Sequence, residues 1–263
     1  MTMRRAILVL LAVMAALPAR AEEEVRVIDS RPGVTEAVLL IHPAVPPVAS
    51  VVLFVGGGGA AGIRPDLPKG KRGGNFLFRA ADLFAEAGFL VAVLDVPSDS
   101  PQLWNFRTTE KHARDVAAVI AEMRREAAVP VWLIGTSMGT LSAANAAARL
   151  KEGGPDGVVL TSSVTEMSRK STESVLTIDL DQIRVPLLVV NHRDDDCEAS
   201  PPEEAPRIIR EAANAPKREI MSFSGGKPSE SGECEPFAAH GYFGIERDVV
   251  TGIARWIRGD SAP

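Results

Sequence analysis

Ser137 lies in the stretch Gly135-Thr136-Ser137-Met138-Gly139, a hydroxyl between two glycines at G-x-S-x-G spacing. A serine hydroxyl is a poor nucleophile until a base takes its proton, and that base needs a carboxylate to fix its tautomer. Four histidines could serve, His42, His112, His192 and His240. Acidic residues crowd one place after the serine, Asp194, Asp195 and Asp196, and Glu166 precedes them. A fourth requirement is a pair of N–H donors for the oxyanion of a tetrahedral intermediate, and the run Gly56-Gly57-Gly58-Gly59 offers bare backbone for it. The chemistry these residues could perform together is acyl transfer.

The elements around them are read from hydrophobic period. Residues 131–134 form a short apolar run rich in β-formers, and residues 141–150 are Ala-rich and helix-favouring, so Ser137 sits where a strand turns into a helix. The turn is tight, which explains a glycine on each side. Residues 25–28 and 36–41 read as an edge hairpin closed at Arg31-Pro32-Gly33, and residues 50–55 as a strand buried on both faces. The chain then alternates. Helices are expected over 76–87, 109–127, 203–213 and 245–257, with strands at 89–94, 157–161, 186–191 and 218–223. Such alternation implies a mostly parallel sheet with helices on both faces.

At 263 residues, 46% hydrophobic and 24% charged, the chain suits one domain with a sizeable core. Residues 1–21 carry Arg4 and Arg5, an apolar run over 6–17, and the small-residue pattern Ala19-Arg20-Ala21. This reads as a secretory signal cleaved before Glu22, too short to span a bilayer, leaving a domain over 22–263 that is periplasmic or secreted and has no membrane span. The signal contains three of the 29 basic residues and none of the 34 acidic ones, so its removal leaves a net charge of −8. That balance argues against a nucleic-acid partner.

With these motifs in place, the sequence resembles the α/β-hydrolase superfamily across essentially the whole mature chain, and the motifs around Asn75, Asp95, Asp195 and His240 resemble a group of small exported bacterial hydrolases. The resemblance implies the order serine, acid, histidine. Among the histidines His240 alone follows every acid candidate, in a loop after the last strand, whereas His192 is expected to pack beside the acid turn. Family loops of the form His-Gly-x-x-Asp align with Asn191-His192-Arg193-Asp194-Asp195 and single out Asp195, with Glu166 as the alternative acid. The implied oxyanion donors are Met138 and either Gly57 or Gly58. The spacing between the strands at 157–161 and 186–191 is only some two dozen residues, which implies no large cap domain.

The family geometry would also bring together the loops carrying Cys197 and Cys234, so a disulfide is expected in an oxidising compartment. Two cysteines without histidines at ligand spacing cannot complete a metal shell, and no metal is expected. The glycines from Gly57 to Gly62 also satisfy G-x-G-x-x-G, but the segment that follows, 64–70, contains two prolines and cannot be the helix a dinucleotide fingerprint requires. No cofactor is expected. Asn75 and Ser98-Asp99 read as caps and turns, and Trp104 and Phe106 as either cleft lining or packing. The expected function is a serine hydrolase acting on a small-molecule ester or amide. A peptidase-type hydrolase and a non-catalytic protein on the same fold are the competing readings.

Overall fold

The computed structural model describes residues 21–64, 72–167 and 172–260; the signal segment read over 1–21 lies outside them except for Ala21. The N-terminal hairpin forms from β1 (Glu22–Arg31) and β2 (Val34–His42), paired antiparallel from Glu22↔His42 to Arg31↔Val34. Gly33 closes it at a φ of +74°, a conformation in which a Cβ would be strained. Six further strands follow: β3 (Ala49–Phe54), β4 (Phe89–Pro97), β5 (Val131–Thr136), β6 (Gly157–Thr161), β7 (Leu187–His192) and β8 (Arg218–Phe223). They join in one sheet of order β1-β2-β4-β3-β5-β6-β7-β8. Only the β1·β2 and β2·β4 pairs are antiparallel.

Period-2 alternation along these strands sorts their side chains between two cores. Val52, Phe54, Leu133, Leu160 and Val189 face one way, against α3 (Glu110–Glu126), α4 (Gly139–Arg149) and α5 (Ala205–Glu211). Val51, Leu53, Ile134, Val159 and Val190 face the other, against α1 (Phe76–Arg79), α2 (Ala81–Glu86) and α6 (Glu246–Arg258). Both faces are therefore covered, as continuous apolar strands require. One expected helix, over 76–87, is broken in two. Ala80 takes φ −93° and ψ 1°, outside helical values, and the next bond closes from Leu83 N–H to Ala80 O over three residues rather than four.

The connection between β6 and β7 contains, among the described residues, only two single 3-10 turns, Val175–Thr177 and Leu180–Gln182. Among the described residues no large cap domain covers the C-terminal ends of the strands. No helix of the described residues is long and apolar enough to cross a membrane.

Candidate active site

β5 ends at Thr136 and α4 begins at Gly139, leaving Ser137 at the bend with φ +52°. A non-glycine residue there costs on the order of 1–3 kcal/mol, and the surroundings must hold it. They do so through close backbone contact. A Cβ on Gly135 would stand 2.3 Å from Gly139 O, and one on Gly139 would stand 2.1 Å from Phe54 O at the end of β3. Neither position admits a side chain, which gives the two flanking glycines of the motif a physical cause. Ser137 N–H donates to Thr161 O of β6 at 3.0 Å, fixing the bend to the neighbouring strand.

The acid and base candidates meet beyond β7 and β8. His240 Nδ1 lies 3.0 Å from Asp195 Oδ2, with both side chains buried. Asp194 and Asp196 are exposed, as is Glu166, so the carboxylate against His240 is that of Asp195. Its other oxygen, Oδ1, accepts from Cys197 N–H at 3.0 Å. Nδ1–H donation to Asp195 leaves Nε2 as the basic nitrogen. Nε2 is buried and, among the described residues, has no partner; in this arrangement it makes no hydrogen bond to Ser137. The two sides are joined through β6: Ser162, next to Thr161, donates from Oγ to His240 O at 2.8 Å.

Ser200 completes this corner and was not among the residues singled out by sequence. Its Oγ lies 3.3 Å from Asp195 Oδ2 and 3.0 Å from His240 Nδ1, so it braces both. A lone serine five residues after an aspartate has no pattern that marks it. Cys197 and Cys234 form a disulfide with a Cα–Cα distance of 4.6 Å, linking the acid loop to the segment leading to His240. His192 is structural, with Nε2–H donating to Gly225 O at 2.9 Å and Nδ1 accepting from Asp194 N–H at 3.1 Å.

The glycine run follows β3 directly beside the bend. Three of its four carbonyls are engaged: Gly56 O accepts from Gly59 N–H, Gly57 O from Arg107 Nη2, and Gly58 O from Leu103 N–H. Among the described residues the N–H groups of Gly57, Gly58 and Met138 donate to no protein acceptor. Tied carbonyls and free amides make an anion-receptive loop. Gly57 adopts φ +57°, the left-handed value that turns this loop.

Arg107 is the second residue that sequence reasoning passed over. It is fully buried and donates to Val55 O and Gly57 O at 3.1 Å each and to Ser142 Oγ at 2.7 Å. Burial pulls its guanidinium down to about 9, which still leaves it charged at neutral pH. Ser142 in turn lies 2.8 Å from His112 Nε2. Burial and the Arg107 charge push His112 to about 3, so it is neutral and belongs to this internal network.

The remaining motif residues have local partners. Asn75 caps α1, its Oδ1 accepting from Leu77 N–H at 3.1 Å. Asp95 accepts from Ala61 and Ile63 N–H at 2.9 and 2.5 Å and so holds the segment after the glycine run. Ser98 Oγ accepts from Thr35 N–H, and Asp99 pairs with Arg31. Phe106 packs on His112 and Arg31, whereas the Trp104 indole nitrogen lies 3.3 Å from where a Gly58 Cβ would be, beside the free amides. Residues 60–64 are not helical, and 65–70 lie outside the described residues.

An eight-stranded sheet of this order, with a serine on the bend after β5, defines an α/β-hydrolase. The family described as serine aminopeptidase, S33, matches residues 74–217, more than half of the chain, and the chain belongs to it. It is a hydrolase of the α/β serine hydrolase class. No protein of curated function matches it. Among solved structures it is similar to the esterase Pf2001 of Pyrococcus furiosus, at 13% identity and a TM-score of 0.64, covering 91% of each chain. TT1662 of Thermus thermophilus is 18% identical with a TM-score of 0.60, over 93% of this chain and 100% of that one. XC6422 of Xanthomonas campestris, described as an α/β serine hydrolase without lid, is 16% identical with a TM-score of 0.58, over 92% and 97%.

Proposed function

We propose that this chain hydrolyses a carboxylic ester through an acyl-enzyme, with Ser137 as nucleophile, His240 as base and Asp195 as its orienting carboxylate. The observation that carries the reading is the buried Asp195–His240 pair at 3.0 Å with an uncommitted Nε2, on the same edge of the sheet as the strained serine. Ser137 Oγ attacks the acyl carbon while His240 Nε2 takes its proton. The carbonyl oxygen becomes an oxyanion held by Met138 N–H and by Gly57 or Gly58 N–H. Collapse of the intermediate breaks the bond to the leaving alcohol, which takes the proton from His240. Water, deprotonated by the same nitrogen, then releases the acid and restores Ser137.

An aminoacyl amide is the second reading, favoured by the family's description as serine aminopeptidase and by similarity to an acylaminoacyl peptidase of Pyrococcus horikoshii, of whose length this chain spans 41%. We further propose that the protein is exported; the Cys197–Cys234 disulfide supports this, since such bonds persist in oxidising compartments. A fluorophosphonate probe should label Ser137, identified by peptide mapping. Chromogenic esters of increasing acyl length, assayed beside aminoacyl amides, decide between the two substrates. Absence of labelling and of turnover on both panels identifies a non-catalytic protein.

A further inference from the structure

The turn ahead of α1 lies against the nucleophile. A Cβ built on Gly56 would stand 3.0 Å from Ser137 Cβ and 3.3 Å from Asn75 Nδ2, so the serine side chain and the asparagine amide flank one point above bare backbone. Asn75 Oδ1 is committed to the cap bond from Leu77 N–H. That bond settles which end of the amide is oxygen and turns Nδ2 toward the Gly56–Ser137 side. Among the described residues Nδ2 donates no hydrogen bond. A cap needs only an acceptor, and serine or aspartate would serve as well. The donor half of this amide has no structural use.

The turn is also held in place from both sides. Arg79 Nη1 donates to Gly74 O at 2.6 Å, just before Asn75, and its Nη2 donates to Gly241 O, just after His240. Its Nε donates to Glu246 at 3.0 Å, which keeps the guanidinium paired. The Phe237 ring would lie 3.2 Å from a Cβ on Gly74 and closes the outer side of the turn. One arginine thus ties the Asn75 turn to the histidine loop.

We propose that Asn75 is a catalytic residue, its side-chain amide acting as an additional oxyanion donor beside the backbone N–H groups of Met138 and the glycine run, with Arg79 as the positioning residue that sets it. The assignment rests on the serine-hydrolase reading of Ser137. An amide N–H aimed at the oxygen of a tetrahedral intermediate stabilises charge that the planar substrate lacks, so its loss acts on kcat rather than on KM.

The test is Asn75→Asp and Asn75→Ser, each of which keeps a cap acceptor and removes the amide donor. Measured quantities are kcat and KM on a p-nitrophenyl ester, inhibition by an arylboronic acid that mimics the tetrahedral state, and melting temperature. Both variants should lose kcat on the order of 10²-fold, with KM little changed. Boronate binding should weaken in parallel, and melting should stay within about 2 °C of wild type. A purely capping residue would leave kcat and boronate binding unmoved in Asn75→Ser, which keeps the acceptor and adds no charge beside the oxyanion. If wild type turns over and labels at Ser137 while folded Asn75→Ser keeps kcat within about threefold, the Asn75 assignment is overturned alone. If wild-type protein neither labels nor turns over, the hydrolase reading falls and takes the assignment with it.

Discussion

Removing the disulfide should separate its two effects, on the unfolded chain and on the placement of the acid–base pair. The bond joins residues 37 apart in sequence, and in the chain-entropy description closing such a loop stabilises the fold by about 4 kcal/mol. At 2–4 °C per kcal/mol for a domain of this size, the double variant Cys197→Ala with Cys234→Ser should melt roughly 8–16 °C lower than wild type. The effect on rate follows from position. Cys197 donates its N–H to Asp195 Oδ1, and Cys234 lies on the segment leading to His240, so cutting the link frees the two loops to move apart. A displacement near 1 Å between catalytic groups costs up to about 10²-fold, so kcat should fall by about tenfold or more, with KM nearly unchanged. Cys234 is exposed and Cys197 buried, so reductant should reach the bond in native protein, reproduce both losses in wild type, and leave the variant unchanged. Calorimetry and steady-state kinetics with and without reductant measure these effects. A melting shift below about 2 °C would refute the stabilising role. A full melting shift with kcat intact would refute the positional one.

Ser137→Ala should abolish turnover and leave the fold in place, whereas Ser137→Gly should also abolish turnover but melt higher, since glycine relieves φ +52° by about 1 kcal/mol; differential scanning of the two variants checks this. His240→Ala should lose on the order of 10⁴ to 10⁶ in kcat, and among Asn and Gln replacements of Asp194, Asp195, Asp196 and Glu166 the greatest loss should fall at Asp195, with Glu166→Gln as the outcome that reassigns the acid. Glu36 on β2 is buried with neither carboxylate oxygen partnered among the described residues, and burial, aided by Asp115, raises it to about 9. The folded chain then keeps this proton from about pH 4.5 to about 9 while the unfolded chain releases it, so the contribution is full below about pH 4.5 and is lost as pH rises toward 9, by at most about 1.4 kcal/mol per unit. Glu36→Gln should flatten that fall between pH 5 and 8, and a wild-type slope retained in the variant would show Glu36 to be charged in the fold.

Local patterning carried most of the architecture. The expected strands at 157–161 and 218–223 match β6 and β8 residue for residue; for β6 the reason is that a short apolar run between turns admits few other boundaries. The break at Ala80 had no such signal, since alanine favours a continuous helix and the residue at the break is a buried alanine. The same division holds in the site. Ser137, Asp195 and His240 stand in motifs with turn chemistry or family spacing, whereas Ser200 and Arg107 act by reaching across the fold to partners distant in sequence. A buried arginine reads in sequence as a surface charge, and only its carbonyl partners near the glycine run reveal its place.

The strand order has a temporal consequence. The glycine run follows β3 and the strained serine follows β5, both in the first part of the chain to be synthesised, while Asp195 follows β7 and His240 comes just before α6. β7 and β8 add to the sheet in sequence order at its far edge, so a growing chain can build the bend and the anion-receptive loop well before it has a base. His240 is then seated by Ser162, Asp195 and Arg79, contacts that close only when segments far apart in sequence have met. Under the triad proposed above, hydrolytic competence would be among the last properties the molecule acquires as it folds, and turnover per molecule would count completed chains rather than merely compact ones.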